Sequence, residues 1–92
     1  MIYTLYAYNN DGNLVCKMNT KVSRNAKTVT VFKKCMNTLG LELIKLGVIN
    51  EDTKYSSELP NIWTNGYLGC AWFTDPYISV AIQEESGAWL AN

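Results

Sequence analysis

One stretch of this chain, residues 26–46, has the spacing of apolar residues that is typical of an amphipathic α-helix. At about 100° per residue, its apolar side chains fall within an arc of about 120°. These side chains are Val29, Phe32, Cys35, Met36, Leu39, Leu43 and Leu46. A helix with one apolar stripe must bury it against another element, and the flanking segments alternate as strands do. The sequence therefore predicts a sheet with one helix packed on one face.

The ends of this helix carry recognisable signals. Ser23 or Asn25 can cap its start by accepting a backbone N–H bond, and Gly47 fits the left-handed position that follows a helix. Gly40 lies in the interior, where glycine weakens a helix by about 1 kcal/mol relative to alanine. Two shorter helices therefore stay an alternative to one long helix.

A β-hairpin is expected before the helix, because residues 2–8 and 13–18 read as strands on either side of Asp11-Gly12. A loop of two or four residues divides the strands into two faces, whereas a loop of three residues changes this division. One face would carry Tyr3, Leu5, Ala7, Leu14, Cys16 and Met18, and the other would carry Tyr6, Tyr8, Val15 and Lys17.

A second hairpin is expected after the helix. Residues 50–66 are polar and interrupted by Pro60, so they read as a long connection, and residues 67–73 and 77–84 read as strands around Asp75-Pro76. If the loop has odd length, one face carries Leu68, Cys70, Trp72, Ile78, Val80 and Ile82. The reverse face then carries Tyr67, Gly69, Ala71, Phe73, Tyr77, Ser79 and Ala81.

The predicted architecture is therefore α+β, in the order ββαββ, with a four-stranded antiparallel sheet and one amphipathic helix on one face. A chain of 92 residues builds one hydrophobic core, so residues 1–92 are expected to form a single domain. Two separate small sheets are the alternative arrangement. Residues after Glu85 would add a short strand or tail.

The residues that most enzymes depend on are scarce. The chain has no histidine, which removes the commonest general base and the commonest metal ligand. Its three cysteines, Cys16, Cys35 and Cys70, lack the spacing of a metal site and are expected to be buried. Adjacent Glu84 and Glu85 would point to opposite faces of a strand. The sequence therefore predicts a non-enzymatic protein with no cofactor and no metal.

The absence of a long apolar run argues against a membrane helix, which needs about 20 such residues. The start of the chain lacks the features of a signal peptide, and the odd number of cysteines suits a reducing compartment. A cytoplasmic protein is expected. Its formal net charge is zero, but residues 1–46 carry a net charge of +5 and residues 47–92 carry −5.

Aromatic side chains mark the first candidate binding surface. Those assigned to the sheet face away from the helix are Tyr6, Tyr8, Tyr67, Phe73 and Tyr77. A single helix covers only one face, and exposed apolar area rich in tyrosine is typical of an interaction site. The alternatives are that residues 50–66 and Trp89-Leu90 cover this face, or that bases stack on it.

A second candidate surface is the basic side of the helix, where Lys27, Lys34 and Lys45 surround an outward Leu41. The leading functional hypothesis is a small module that binds a host or cognate protein and inhibits or redirects it, with a homodimer as a further option. In its small size and its lack of recognisable motifs, and in nothing more specific, the chain resembles small phage or mobile-element accessory proteins such as inhibitors of host defence systems. The alternative is a nucleic-acid-binding accessory protein that uses the basic region from Lys17 to Lys34 together with the sheet tyrosines.

Overall fold

The structure is a computed structural model, and it describes residues 1–57 and 71–84. One helix and five strands follow in the order β1 (Ile2–Tyr8), β2 (Leu14–Lys21), α1 (Thr28–Lys45), β3 (Tyr55–Ser57), β4 (Ala71–Phe73) and β5 (Ile78–Glu84). The strands form one antiparallel sheet in the order β2-β1-β5-β4-β3. The predicted α+β class is therefore confirmed. The prediction of four strands in the order ββαββ is wrong, because β3 lies within the segment expected to be a connection.

The first hairpin forms where Asp11-Gly12 indicated it. The side-chain Oδ1 of Asn9 accepts the backbone N–H groups of Asp11 and Asn13, both at 3.0 Å, which holds the turn closed. Gly12 has a φ of 82°, a conformation that glycine adopts without steric cost. Local side-chain bonding and a glycine at the required position therefore explain the turn.

A β-bulge near this turn changes which side chains face the helix. Ala7 lies opposite Cys16, but Tyr8 lies opposite Leu14, so Val15 is an extra residue on β2. Tyr3, Leu5, Ala7, Cys16 and Met18 share the helix side, as predicted. The assignments of the two residues at the bulge are wrong: Leu14 is 50% exposed and Val15 packs against the core.

The second hairpin has the opposite parity from the prediction. Four residues, Thr74–Tyr77, separate β4 from β5, so Ala71 lies opposite Val80 and Phe73 lies opposite Ile78. An even loop turns Ala71 and Phe73 toward the helix and turns Trp72 away from it, which reverses the predicted division. The predicted positions of Tyr67, Leu68, Gly69 and Cys70 lie outside the described residues.

The helix begins two residues later than the sequence suggested. Its N-cap residue is Lys27, which makes no side-chain capping bond, so the prediction that Ser23 or Asn25 caps the helix is wrong. The Ser23 hydroxyl instead accepts the backbone N–H of Asn25 at 3.3 Å, in the turn that precedes the helix.

The end of the helix follows the predicted pattern. Gly47 has a φ of 75°, and its N–H bonds the carbonyl of Ile44 at 3.0 Å. The N–H of Val48 bonds the carbonyl of Leu43 at 2.9 Å. These two bonds together form a Schellman motif, in which glycine is the preferred residue because the backbone is left-handed there.

The hydrophobic core lies between α1 and one face of the sheet. Helix residues in it include five that the apolar stripe predicted, namely Phe32, Cys35, Met36, Leu39 and Leu43. Val29 and Leu46, at the two ends of the stripe, are instead 49% and 54% exposed. Gly40 lets the ring of Phe73 approach the helix, since a methyl group built on Gly40 would lie 3.6 Å from two ring carbons.

Candidate binding surface

The sheet face opposite the helix carries a mixed aromatic and polar surface, which we name the outer face. Alternation along the strands and the register between them bring its residues together. They are Ile2, Thr4, Tyr6 and Tyr8 of β1, Leu14, Lys17, Asn19 and Lys21 of β2, Ser56 of β3, Trp72 of β4, and Ser79, Ala81 and Gln83 of β5. None of these strand residues is acidic.

Two tyrosines of β1 form an ordered pair on the outer face. The rings of Tyr6 and Tyr8 are nearly parallel, at 9°, with their centroids 6.5 Å apart. The hydroxyl of Tyr6 donates to Oε1 of Gln83 at 2.9 Å, and the ammonium of Lys17 lies 5.4 Å from the centroid of the Tyr6 ring. Both contacts restrict the Tyr6 side chain, so its orientation is set by neighbouring strands.

Two of the five predicted aromatic site residues, Phe73 and Tyr77, do not join this pair. Phe73 is 3% exposed and belongs to the core, because the even loop turns it toward the helix. Tyr77 is 47% exposed and lies in the turn between β4 and β5. Tyr67 lies outside the described residues.

Trp72 takes the place on the outer face that the sequence assigned to Phe73. It lies opposite Ser79, which in turn lies opposite Tyr8, so the tryptophan and this tyrosine share one row across three strands. The sequence predicted strands on both sides of the loop at Asp75-Pro76, but it did not show whether that loop has an odd or an even number of residues. A correct loop length would have identified Trp72 as a site residue.

The basic residues predicted on the helix do not form one uniform stripe. Lys27 is the N-cap residue, whereas Lys34 and Lys45 lie within α1 near its first and last turns. All three are exposed. The ammonium of Lys34 donates to the backbone carbonyl of Lys21 at 2.7 Å, which ties the helix to the end of β2. Lys34 therefore joins the basic end of β2 and lies apart from Lys45.

Comparison with protein families, with curated proteins and with solved structures finds no match to this chain. The candidate surfaces are therefore judged on their geometry and chemistry alone.

An apolar groove of about 460 Å³ lies beside the helix, away from the outer face. Its lining includes Gly40, Leu41 and Ile44 of α1, together with Tyr55 and Phe73 of β3 and β4. Tyr55 packs edge-on against Phe73, with ring centroids 6.1 Å apart. Leu41, which the sequence placed among the lysines of the helix, is 69% exposed and forms part of this groove.

The described cysteines have the chemistry of packing residues. Burial raises the pKa of the Cys35 thiol to about 12, although the nearby positive charge of Lys34 acts in the opposite direction. Burial also raises the pKa of Cys16, and the negative charge of Glu42 adds to the effect. Both thiols therefore stay protonated at neutral pH, and a thiol is a poor nucleophile. Cys70 lies outside the described residues.

Residues 1–57 and 71–84 contain neither a cluster of metal ligands nor a helix that could span a membrane. Within these ranges, no three side chains of Cys, Asp or Glu lie close enough together to hold a metal ion. Over the same ranges, no helix combines the length and the apolar character that crossing a bilayer requires.

Proposed function

We propose that this protein is a small non-enzymatic module that binds a partner protein through the outer face and thereby inhibits or redirects that partner. The observation that carries the proposal is the parallel pair of Tyr6 and Tyr8, whose Tyr6 side chain contacts Lys17 and Gln83, on strand β1 between β2 and β5. Tyrosine is enriched at protein interfaces because it offers a large apolar area and a polar tip.

The rigidity of this surface supports binding in particular. Ordering flexible side chains at an interface costs about 0.5 to 1.5 kcal/mol for each one. The tyrosine pair stands on a strand that is paired on both sides, and Thr4 and Asn19 are joined by a hydrogen bond of 3.0 Å on the same face. Much of the ordering cost is therefore met when the protein folds. Inhibition of a host defence protein is one activity that such a surface can perform by steric occupation.

Affinity capture from the native host tests the proposal, with Tyr8→Ala as the variant and Tyr77→Ala as its matched control. Both substitutions remove a tyrosine ring, but only Tyr8 belongs to the outer face. We expect Tyr8→Ala to lose the captured protein and Tyr77→Ala to retain it. Equal capture by the two variants would remove the outer face as the binding surface.

Nucleic-acid binding is the second candidate function, and the contact between Lys17 and Tyr6 is the observation that favours it. An aromatic ring beside a cation can stack a base and attract a phosphate. Lys21 lies on the same face. A gel-shift titration of labelled single-stranded RNA at several salt concentrations separates the two functions, because phosphate contacts lose affinity steeply as salt increases. An aromatic protein interface is much less sensitive to salt.

A further inference from the structure

Strand β2 forms one edge of the five-stranded sheet, and it is eight residues long. Among the strands of residues 1–57 and 71–84, it pairs with β1 alone. An edge strand presents backbone donors and acceptors that can pair with a strand from another chain. The orientation of these groups follows from the hydrogen bonds at the end of the hairpin.

Met1 and Val22 exchange two hydrogen bonds: the amino group of Met1 donates to the carbonyl of Val22 at 2.8 Å, and the N–H of Val22 donates to the carbonyl of Met1 at 2.9 Å. In an antiparallel pair, such closely bonded positions alternate with positions whose backbone groups point away. The backbone N–H and carbonyl groups of Lys17, Asn19 and Lys21 therefore point away from β1.

The contact made by Lys34 agrees with this alternation, because its ammonium reaches the outward carbonyl of Lys21 from the helix. With respect to the described part of the chain, Lys17 and Asn19 each keep an outward N–H and an outward carbonyl, and Lys21 keeps an outward N–H. We name these groups the β2 edge. Two residues with both groups available can each form a closely bonded pair with a residue of an added strand.

The charge around the β2 edge is positive on the outer face. The side chains of Lys17 and Lys21 lie on either side of Asn19, and the described strand residues of the outer face include no carboxylate. On the helix side, Lys34 reaches Lys21, whereas Glu42 lies close enough to Cys16 to raise the pKa of its thiol. The charge that an added strand can carry is therefore determined mainly by Lys17 and Lys21 on the outer face.

We infer that the β2 edge takes an extended, acidic segment of a partner protein as a sixth strand. This inference rests on the proposed function and adds the chemistry and conformation of the segment that is bound. Backbone hydrogen bonds to Lys17 and Asn19 hold the segment in register, and carboxylates on its outward side lie beside Lys17 and Lys21. The outer face and the outward side of the bound segment then form one continuous surface.

In the register about Asn19, a second copy of this chain does not fit the same edge. Antiparallel pairing of two β2 strands about Asn19 places Lys17 of each copy opposite Lys21 of the other. Like charges directly opposite each other destabilise a sheet, and lysines on edge strands commonly prevent such pairing. The lysines that oppose self-association favour an acidic segment.

The test uses the whole protein, labelled with ¹⁵N, and a blocked peptide of alternating Glu and Thr that is as long as β2. Matched probes are the same peptide with Lys in place of Glu, and the Glu peptide with alternate backbone nitrogens methylated. We expect the Glu peptide alone to shift the amide signals of Lys17 and Asn19 and to slow their hydrogen exchange. Both changes report pairing of the backbone.

Two sets of variants separate backbone pairing from charge. Asn19→Pro removes an outward N–H without removing a bond to β1, and Asn19→Ala is its control; we expect the proline variant to bind the Glu peptide about ten-fold more weakly. The double substitution Lys17→Glu and Lys21→Glu should exchange the preference, so that the Lys peptide binds and the Glu peptide does not. The charge exchange and the methylated peptide need no proline in the strand, so they test the inference even if Asn19→Pro does not fold.

Several results would overturn the inference. One is absence of binding by the Glu peptide at millimolar concentration, which would mean that the lysines only protect the edge. Another is a set of amide shifts confined to Tyr8 and Trp72 or to the helix. A third is equal binding by the methylated peptide. Tighter, salt-sensitive binding of single-stranded RNA to the same amides would also overturn it. A captured protein that depends on Tyr8 but tolerates Asn19→Pro overturns the inference alone. Failure to capture any protein, with the peptide still bound, counts against the proposed function alone.

Discussion

The two faces of the sheet are built from the same strands but have different physical roles. On β1, Tyr3, Leu5 and Ala7 are at most 6% exposed beneath the helix, whereas Tyr6 and Tyr8, which point the opposite way, are half-buried on the outer face. β5 alternates in the same way. The difference teaches that the helix-covered face stabilises the fold by burial, whereas the outer face carries the groups that can recognise a partner.

The two faces of the sheet also differ in their polar groups. The buried core contains no polar or charged residue among those described, apart from the hydroxyl of Tyr3, and none of the described buried side-chain nitrogen or oxygen atoms lacks a partner. On the outer face, Thr4 bonds Asn19 and Tyr6 bonds Gln83, so polar side chains link neighbouring strands. Substitutions on the two faces should therefore affect different properties.

The adjacent residues Phe73 and Trp72 provide the largest contrast, because they point to opposite faces of β4. Phe73→Ala removes a ring that packs on Gly40 and Tyr55 and should lower the free energy of unfolding by about 3 to 5 kcal/mol. Trp72→Ala removes a half-buried side chain and should cost about 1 kcal/mol. Urea denaturation of the two variants measures both values. A larger loss of stability for Trp72→Ala than for Phe73→Ala would mean that Trp72, and not Phe73, faces the helix.

This contrast also shows how far the sequence determines the fold. Hydrophobic periodicity predicted α1, and the turn residues near Gly12 predicted the first hairpin, because both signals are local. The loop at Asp75-Pro76 contains turn residues that suit several lengths, and a change of one residue exchanges the faces of Phe73 and Trp72. β3 is three residues long and exists through its pairing with β4, so no local pattern indicates it.

The candidate site was predictable only where the strand assignment was secure. Tyr6 and Tyr8 follow from alternation on β1, which the bulge does not disturb. The outward direction of the Lys17 and Asn19 backbone depends on which pairs of β1 and β2 exchange hydrogen bonds, and side-chain patterns do not report this. The direction of these backbone groups is known only once the strands are paired in three dimensions, so the β2 edge could not be predicted from the sequence.

The helix-covered face should also respond to alkaline pH through Cys35. Its thiol has a pKa of about 12 in the folded protein, against the usual 9.0, so between these values the unfolded chain loses a proton that the folded protein keeps. The contribution of Cys35 to stability should therefore be constant below pH 9 and should fall by about 1.4 kcal/mol per pH unit between pH 9 and the folded-state pKa of about 12. Chemical denaturation from pH 8 to 11, with Cys35→Ala as reference, isolates this effect. Parallel curves for the two proteins would contradict it.

A smaller effect of opposite sign is expected at Gly40, on the helix side of the same core. Gly40→Ala adds a methyl group at an ordinary contact distance of 3.6 Å from Phe73 and should stabilise the helix by up to about 1 kcal/mol. Gly47→Ala is the matched control and should destabilise by about 1 kcal/mol, because its φ of 75° is strained for alanine. Thermal unfolding compares the two. A loss of stability in Gly40→Ala would mean that Phe73 packs too tightly to admit the methyl group.

The smallest expected effect tests whether the outer face is as ordered as the helix-covered face. Lys17→Met keeps an apolar stem but removes the ammonium from the Tyr6 ring, which should cost about 0.5 kcal/mol at a partly exposed site. A double-mutant cycle with Tyr6→Leu extracts the coupling between the two side chains, and Lys21→Met provides a control on the same strand and face. Coupling for Lys17 but not for Lys21 would mean that the ring and the ammonium stay together in solution. Zero coupling for both would mean that the contact with Lys17 does not hold the tyrosine pair, so the cost of ordering the pair would be met on binding and not on folding.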